Sequence, residues 1–491
     1  MRLLRALPFA LFATLGLTNI ASAGGTPTVY DNHNLHLMGS RAAGMGGAYT
    51  ALACDEAALH YNPASLACAQ HSHLELVANA YMIQSLAVPR ALGDGQDLLA
   101  TTYHSVPSAV GAVYVVSDGD PETRVRRQAF AFLITIPSTL ALKAEPTSAT
   151  TRDFLTTSVR DDVLAGDVGY AYQVLPELSF GLSLGGAIRT MSSSSTILVT
   201  RPIRSGGNEF VSLGQEIEAL SIGLHAKLGA RWTPSPNWAL GLQLKTPSLD
   251  VYGTYKQSTS VGVAGFDANT GAPILDATPV RFTGKSAASF PMRVAVGAAY
   301  LGNGYTLSAD LSLGLPRDVR VAHSVVPIRI ANAPEGTPSD LTLERVLQPN
   351  VNLGAEVFFT RSLAVGLGAF TDFSSVPKST LEEDRVHMFG GSTALTVMGT
   401  QTRGTFGVSF SYGMAESVVQ TGQFNLDSLD SSRTGLSTIT RWNVVGMIGS
   451  NYSFLPDDVA AGAMKKQKEP PTPTQAPAQA PAQAPAQAPA P

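Results

Sequence analysis

A strict two-residue alternation, with cations on its polar side, limits this chain more than any other feature. From Ile222 to Trp232, the residues Ile222, Leu224, Ala226, Leu228, Ala230 and Trp232 alternate with Gly223, His225, Lys227, Gly229 and Arg231. Successive strand side chains point to opposite faces, so this run is a β-strand with one apolar face and one face bearing three titratable groups. Lipid or a dry sandwich core would strip those groups of water, whereas a watery bore hydrates them. His225, Lys227 and Arg231 are therefore read as lumen-facing residues of an all-β fold, a transmembrane antiparallel barrel.

The same pattern recurs as hairpins with short turns. After Pro234-Ser235-Pro236-Asn237 the alternation resumes with Trp238, Leu240, Leu242 and Leu244 against Gly241, Gln243 and Lys245. Val168 to Val174 turns through Leu175-Pro176-Glu177 into Leu178 to Leu184. Leu353 to Phe359 turns through Thr360-Arg361-Ser362 into Leu363 to Phe373, and Met292 to Tyr300 turns through Gly302-Asn303-Gly304 into Tyr305 to Leu313. Between the hairpins lie polar stretches, 189–219, 247–290, 314–350 and 414–438, read as long loops. Short turns on one side and long loops on the other is the arrangement of outer-membrane barrels, with the short turns in the periplasm. A soluble β-sandwich does not place such long connections on one side only.

Export agrees with this. Met1 to Arg5 is a cationic start, Ala6 to Leu17 carries no charge, and Ala21-Ser22-Ala23 is a small-residue cleavage pattern, so 1–23 reads as a signal peptide. Its apolar run falls short of the ~20 residues that a spanning helix needs. Charged residues are 14% of the 491, against roughly 25% in ordinary soluble domains. A net charge of −4 offers no basic footprint, which sets nucleic acid aside as a partner. Cys54 and Cys68 are the only cysteines. They form either a bridge or two unpaired small hydrophobes.

Tyr170, Tyr172, Trp232, Trp238, Tyr300, Tyr305 and Tyr412 stand near strand ends on the apolar parity, where girdles at a bilayer interface belong. The last strand, Trp442 to Phe454, resembles the carboxy-terminal signal read by barrel-assembly machinery, although it is not terminal here. Residues 455–491 run from Lys465-Lys466-Gln467-Lys468-Glu469 into Gln-Ala-Pro-Ala repeats that cannot bury a core. Extended at ~3.1 Å per residue they reach on the order of 100 Å, as a periplasmic arm or an inert disordered end.

Residues 24–73 do not alternate. Gly39 to Ala53 is dense in glycine and alanine, as close packing in a confined space requires, and leads to Asp55-Glu56 and then Asn62-Pro63-Ala64. This segment resembles that of the FadL-type outer-membrane transporters of long-chain fatty acids and other hydrophobic compounds. Further similarity lies in His104-Ser105-Val106-Pro107-Ser108 ahead of a strand, in Phe132 to a closing Pro137, and in Arg385 to Ser392. The resemblance implies a plug (24–73) in a barrel of about 14 strands (74–454). It implies passive uptake of a hydrophobic small molecule such as a long-chain fatty acid, a monomer in outer-membrane lipid, and no cofactor.

Proline fixes φ and lacks an N–H, and the Asn before it can satisfy local backbone groups, so Asn62-Pro63-Ala64 forms a sharp turn, either a gate or a rigid support. Asp55 and Glu56 either pair with lumen cations such as Lys227 or Arg231, locking the plug, or form a solvated pair. Nine histidines, His33, His36, His60, His71 and His73 among them, show no metal-ligand spacing, and no Gly-x-Ser-x-Gly elbow occurs, so neither a metal nor an enzyme is expected. Two functional readings stand: a channel for hydrophobic small molecules, and a structural or docking barrel of an envelope complex.

Overall fold

The computed structural model describes residue 32 and residues 37–89, 97–117, 126–144, 154–202, 208–266, 273–327, 339–378, 385–420 and 434–454. The readings placed on 1–23, on His33 and His36 and on 455–491 lie outside these residues. In chain order the strands are β1 (His73–Val88), β2 (Leu98–Ser117), β3 (Gln128–Ala144), β4 (Phe154–Leu175), β5 (Leu178–Pro202), β6 (Asn208–Ser235), β7 (Trp238–Lys245), β8 (Leu249–Phe266) and β9 (Pro273–Lys285). They continue as β10 (Arg293–Leu301), β11 (Tyr305–Gly314), β12 (Val319–Pro327), β13 (Ser339–Leu343), β14 (Gln348–Thr360), β15 (Leu363–Asp372), β16 (His387–Met398), β17 (Thr402–Gln420) and β18 (Thr434–Ser453).

Fourteen of them close an antiparallel barrel: β1 to β7, β10, β11 and β14 to β18, with β18 returning to β1. Closure pairs the strand edges around the wall, one sector excepted, which is what lets strands span a membrane. Phe454 completes it, donating its amide to Ser72 O at 2.8 Å. The remaining four strands extend the wall at the end away from the short turns. There β8 pairs with the distal half of β6, β9 with β8, β12 with β9 and β13 with β12.

This extension corrects the loop assignment. Much of 189–219, 247–290, 314–350 and 414–438 is strand, and the β5–β6 ladder runs on to Pro202↔Asn208. Beyond the bilayer both faces meet water, so the apolar alternation disappears while the backbone ladder persists.

At membrane depth the apolar parity faces out. Phe180, Leu182 and Leu184, and likewise Phe406, Val408 and Phe410, are exposed, while Ser179 and Ser183 are buried. Near the short turns Trp238 packs edge-on to Tyr300 at 5.2 Å and Tyr452 to Phe454 at 5.3 Å. Tyr412, which pairs with Trp442, lies about ten residues farther along the tilted strands, or ~25 Å, the height of a lipid-facing band.

The wall is interrupted in one sector. The β2–β3 ladder ends at Ala109↔Thr135, although β2 continues to Leu98 and β3 to Ala144. The β1–β2 register breaks between Asn79 and Met82, and the β3–β4 register between Thr135 and Ser138. Pro137 stands in the β3–β4 break, and Pro107, paired with Ala78 beside a second β1–β2 register shift, lies just past the end of the β2–β3 ladder, both inside strands that were expected to begin after Pro107 and to end at Pro137. A proline cannot donate to a ladder, so it is tolerated where the ladder is already broken.

Candidate functional site

Asn32 and the chain from Leu37 to Ala69 lie inside the barrel. At the end far from the short turns Asn32 donates to Asp372 O at 2.8 Å. The segment then descends through α1 (Ser40–Gly44), α2 (Ala58–Tyr61) and a 3-10 turn (Pro63–Cys68), and leaves into β1. Alanines at 42, 43, 48, 51, 53, 57, 58 and 64 are buried, so small side chains let backbone lie against backbone. Gly46 and Gly47 take φ of 62° and 75°, a conformation that side chains disfavour, and turn the chain after α1. Cys54 and Cys68 form a disulfide, with Cα atoms 5.2 Å apart, that closes the Asp55–Ala67 loop on itself.

Asn62-Pro63-Ala64 sits in a recess of the wall. Asn62 is fully buried and donates to Thr50 O at 3.0 Å and to Ala230 O of β6 at 2.9 Å. Its Oδ1 accepts from Ala64 N at 3.2 Å, capping the 3-10 turn that Pro63 opens. The recess exists because the wall has glycine there. A Cβ on Gly181 would meet Ala64 N at 2.4 Å, and one on Gly229 would meet Asn62 Oδ1 at 2.2 Å. The glycines that alternate with leucine in β5 and β6 thus mark where the inner segment touches the wall.

Of the lumen residues expected in a hydrated bore, His225 and Lys227 are instead buried and Arg231 is partly buried, with Lys227 and Arg231 bonded to this segment. Lys227 donates to Leu59 O at 2.7 Å and pairs with Asp167 at 2.9 Å, and Asp167 also meets His225 at 3.0 Å. Arg231 donates to Ala51 O at 3.1 Å, and Gln243 to His60 O at 2.7 Å. These donors satisfy carbonyls that short helices and turns leave open.

The lock expected between Asp55 or Glu56 and Lys227 or Arg231 does not form. Asp55 accepts from Tyr49 Oη at 2.6 Å, and Glu56 faces His73 at 3.3 Å. The reason is position: the acidic pair sits at the short-turn end beside β1, where Glu75 accepts from Ser40 N and Oγ at 3.1 and 2.7 Å. Burial, and secondly the charge of Glu75, push both the Asp55 and Glu56 carboxyls up from the usual range.

Other contacts were not singled out in the sequence. Arg41 and Glu356 form an ion pair, at 2.7 Å, that ties the segment to the wall. Asp310 accepts from the amides of Tyr49 and Thr50, both at 2.8 Å. Its inward parity on β11 was the available signal. A third feature is a row of cations across three adjacent strands, where Lys227 pairs with Lys245 and Lys245 with Arg293. Lys245 stands one inward step beyond Gln243, with its ammonium 5.7 Å from the Phe290 ring. Phe290 in turn packs on Val163, Ala165 and Ala187 of β4 and β5. The interior therefore offers cations beside an apolar patch, with Asp167 neutralising Lys227.

No protein-family profile and no curated sequence matches the chain. Solved structures do. A Pseudomonas aeruginosa FadL homologue aligns over 88% of this chain and 100% of its own, with 12% identity and a TM-score of 0.57. The P. putida toluene transporter TodX aligns over 85% and 99%, with 16% identity and a TM-score of 0.59. The Ralstonia pickettii toluene transporter TbuX aligns over 86% and 100%, with 14% identity and a TM-score of 0.53. The chain has the FadL-type fold.

Proposed function

We propose that this protein is an outer-membrane channel for passive uptake of hydrophobic small molecules, and that its inner segment is the plug. The observation that carries the reading is that the bore is filled while the wall beside it is discontinuous: the plug occupies the interior and the β2–β3 ladder stops at Ala109↔Thr135. Thr135 pairs at the level of Ala165, beside the lipid-facing Leu164, so the discontinuity lies in the outer half of the bilayer. A solute entering from outside meets apolar contacts above the plug and leaves sideways into lipid, a path that never crosses the plugged bore. Displacement of the plug around Asn62 opens the alternative, downward path.

The cation row favours an amphipathic anion, of which a long-chain fatty acid is the natural example. Lys245 supplies charge for a carboxylate, and Phe290 with Val163, Ala165 and Ala187 supplies contacts for a chain. Vesicles carrying the purified protein should take up oleate faster than empty ones. Lys245→Met should slow oleate by roughly tenfold, the worth of one charge-assisted hydrogen bond, and leave toluene uptake unchanged. Equal loss for both probes would remove the carboxylate assignment. No uptake of either, together with recovery of envelope proteins on the immobilised barrel, would replace the channel with a docking barrel.

A further inference from the structure

The distal half of β3 has left the wall, yet its backbone groups are satisfied. It pairs with β4 on one side, from Ser138↔Val163 to Ala144↔Thr157, and on the other side β2 forms no ladder with it. What replaces that ladder is a side chain of β1. Gln84 donates Nε2 to Thr139 O at 3.2 Å and accepts from Ala141 N at Oε1, also at 3.2 Å. Thr102 of β2, which pairs with Gln84 in the β1–β2 ladder, donates its hydroxyl to Ala141 O.

The geometry follows from parity. After the register break near Asn79, inward positions on β1 change from His73, Glu75 and Val77 to Met82 and Gln84. Gln84 and Thr102 therefore both point into the barrel, and the β3 strand that they bind lies across the inner face of β1 and β2. Burial agrees: Thr139 and Leu140, successive residues pointing opposite ways, are 3% and 1% exposed, which requires cover on both faces of β3. Gln84 itself is 1% exposed.

A glutamine amide carries the same donor and acceptor as a peptide group. It can cap an N–H and a C=O that a lost strand neighbour would otherwise leave orphaned. We infer that Gln84, seconded by Thr102, is the positioning residue that clasps the distal half of β3 inside the barrel and so keeps the β2–β3 discontinuity open to lipid. The inference rests on the lateral route proposed above. Without the clasp, two orphaned backbone groups favour return of β3 to β2, which seals the wall.

Gln84→Leu keeps much of the volume and removes both bonds. In the full-length protein in nanodiscs, amide exchange at Ala141 should rise at least tenfold, and oleate uptake into vesicles should fall at least fivefold. Gln84→Glu provides the check that a merely structural role would not pass. As a carboxylate it lacks the donor for Thr139 O and should behave like the leucine variant at pH 8. Desolvation at this buried site raises the carboxyl of Gln84→Glu, so at pH 5 it takes up a proton and regains one donor and one acceptor, and both readouts should recover relative to Gln84→Leu. Unchanged exchange at Ala141, or altered exchange with unchanged uptake, would overturn the clasp. A wild-type protein that takes up nothing would overturn the channel reading instead, and Ala141 exchange would still report on whether Gln84 holds the strand.

Discussion

Replacing Asn62 by alanine tests whether the plug is held as a latch. The side chain makes three buried hydrogen bonds, two donated to Thr50 O and Ala230 O and one accepted from Ala64 N. Each is worth about 1 kcal/mol net, so Asn62→Ala should weaken docking of the plug by about 3 kcal/mol. One of the three ties the plug to the wall directly, and the other two hold the turn that fits the glycine recess. The barrel should survive, because its ladders do not pass through this side chain. At ~1.4 kcal/mol per decade, the population with a displaced plug should rise roughly 100-fold. Single-channel conductance in planar bilayers reads that population as open time, and heat-modifiable migration on a gel confirms that the barrel is folded. A folded variant whose open time stays within about threefold of wild type would refute the reasoning, because the summed hydrogen-bond loss predicts a far larger change.

Two more predictions follow from the same interface. Gly181→Val places side-chain atoms where Ala64 N would already stand 2.4 Å from a Cβ, so it should expel the turn and raise conductance while leaving the barrel heat-modifiable. Unchanged conductance would show that the recess does not seat Asn62-Pro63-Ala64. Glu56 is held well above the ordinary carboxylate range by burial and by Glu75, so the docked plug keeps a proton that the released plug gives up. Docking stability from this group is present below the ordinary Glu value of about 4.3 and is lost as pH rises through the raised one. Plug release, followed by protease access from the short-turn side, should increase with pH, and Glu56→Gln should flatten that dependence.

What the sequence disclosed was set by contrast between environments. The hairpins closing at 175–178, 235–238, 301–305 and 360–363 were legible because one face of each strand meets lipid and the other does not. Where β5 and β6 leave the bilayer, Ser192 to Ser195 and their partners meet water on both faces, and strand looks like loop. Pro107 and Pro137 read as boundaries because a proline normally ends a ladder, and only the fold shows that the ladder had already parted there. The inward parity of Lys227 and Arg231 was plain, but what fills the bore was not. A lysine facing water and a lysine facing the carbonyl of Leu59 have the same periodicity. Glycine recesses were invisible for a related reason, since the absence of a side chain does not say what takes its place.

The wall recognises its occupant chiefly through the main chain. Lys227, Arg231, Gln243, Ser179 and Asn352 all donate to backbone carbonyls of the inner segment, and Asp310 accepts from backbone amides. Such contacts specify where the chain runs and hardly which residues it is made of. Most inner positions can therefore exchange one small residue for another without breaking a bond, and the lining can drift independently of its guest. The barrel is in this sense a mould for a backbone path, which helps explain how one fold can persist at 12 to 16% identity. For engineering, a foreign segment that follows the same path and keeps an asparagine at position 62 should seat in this wall.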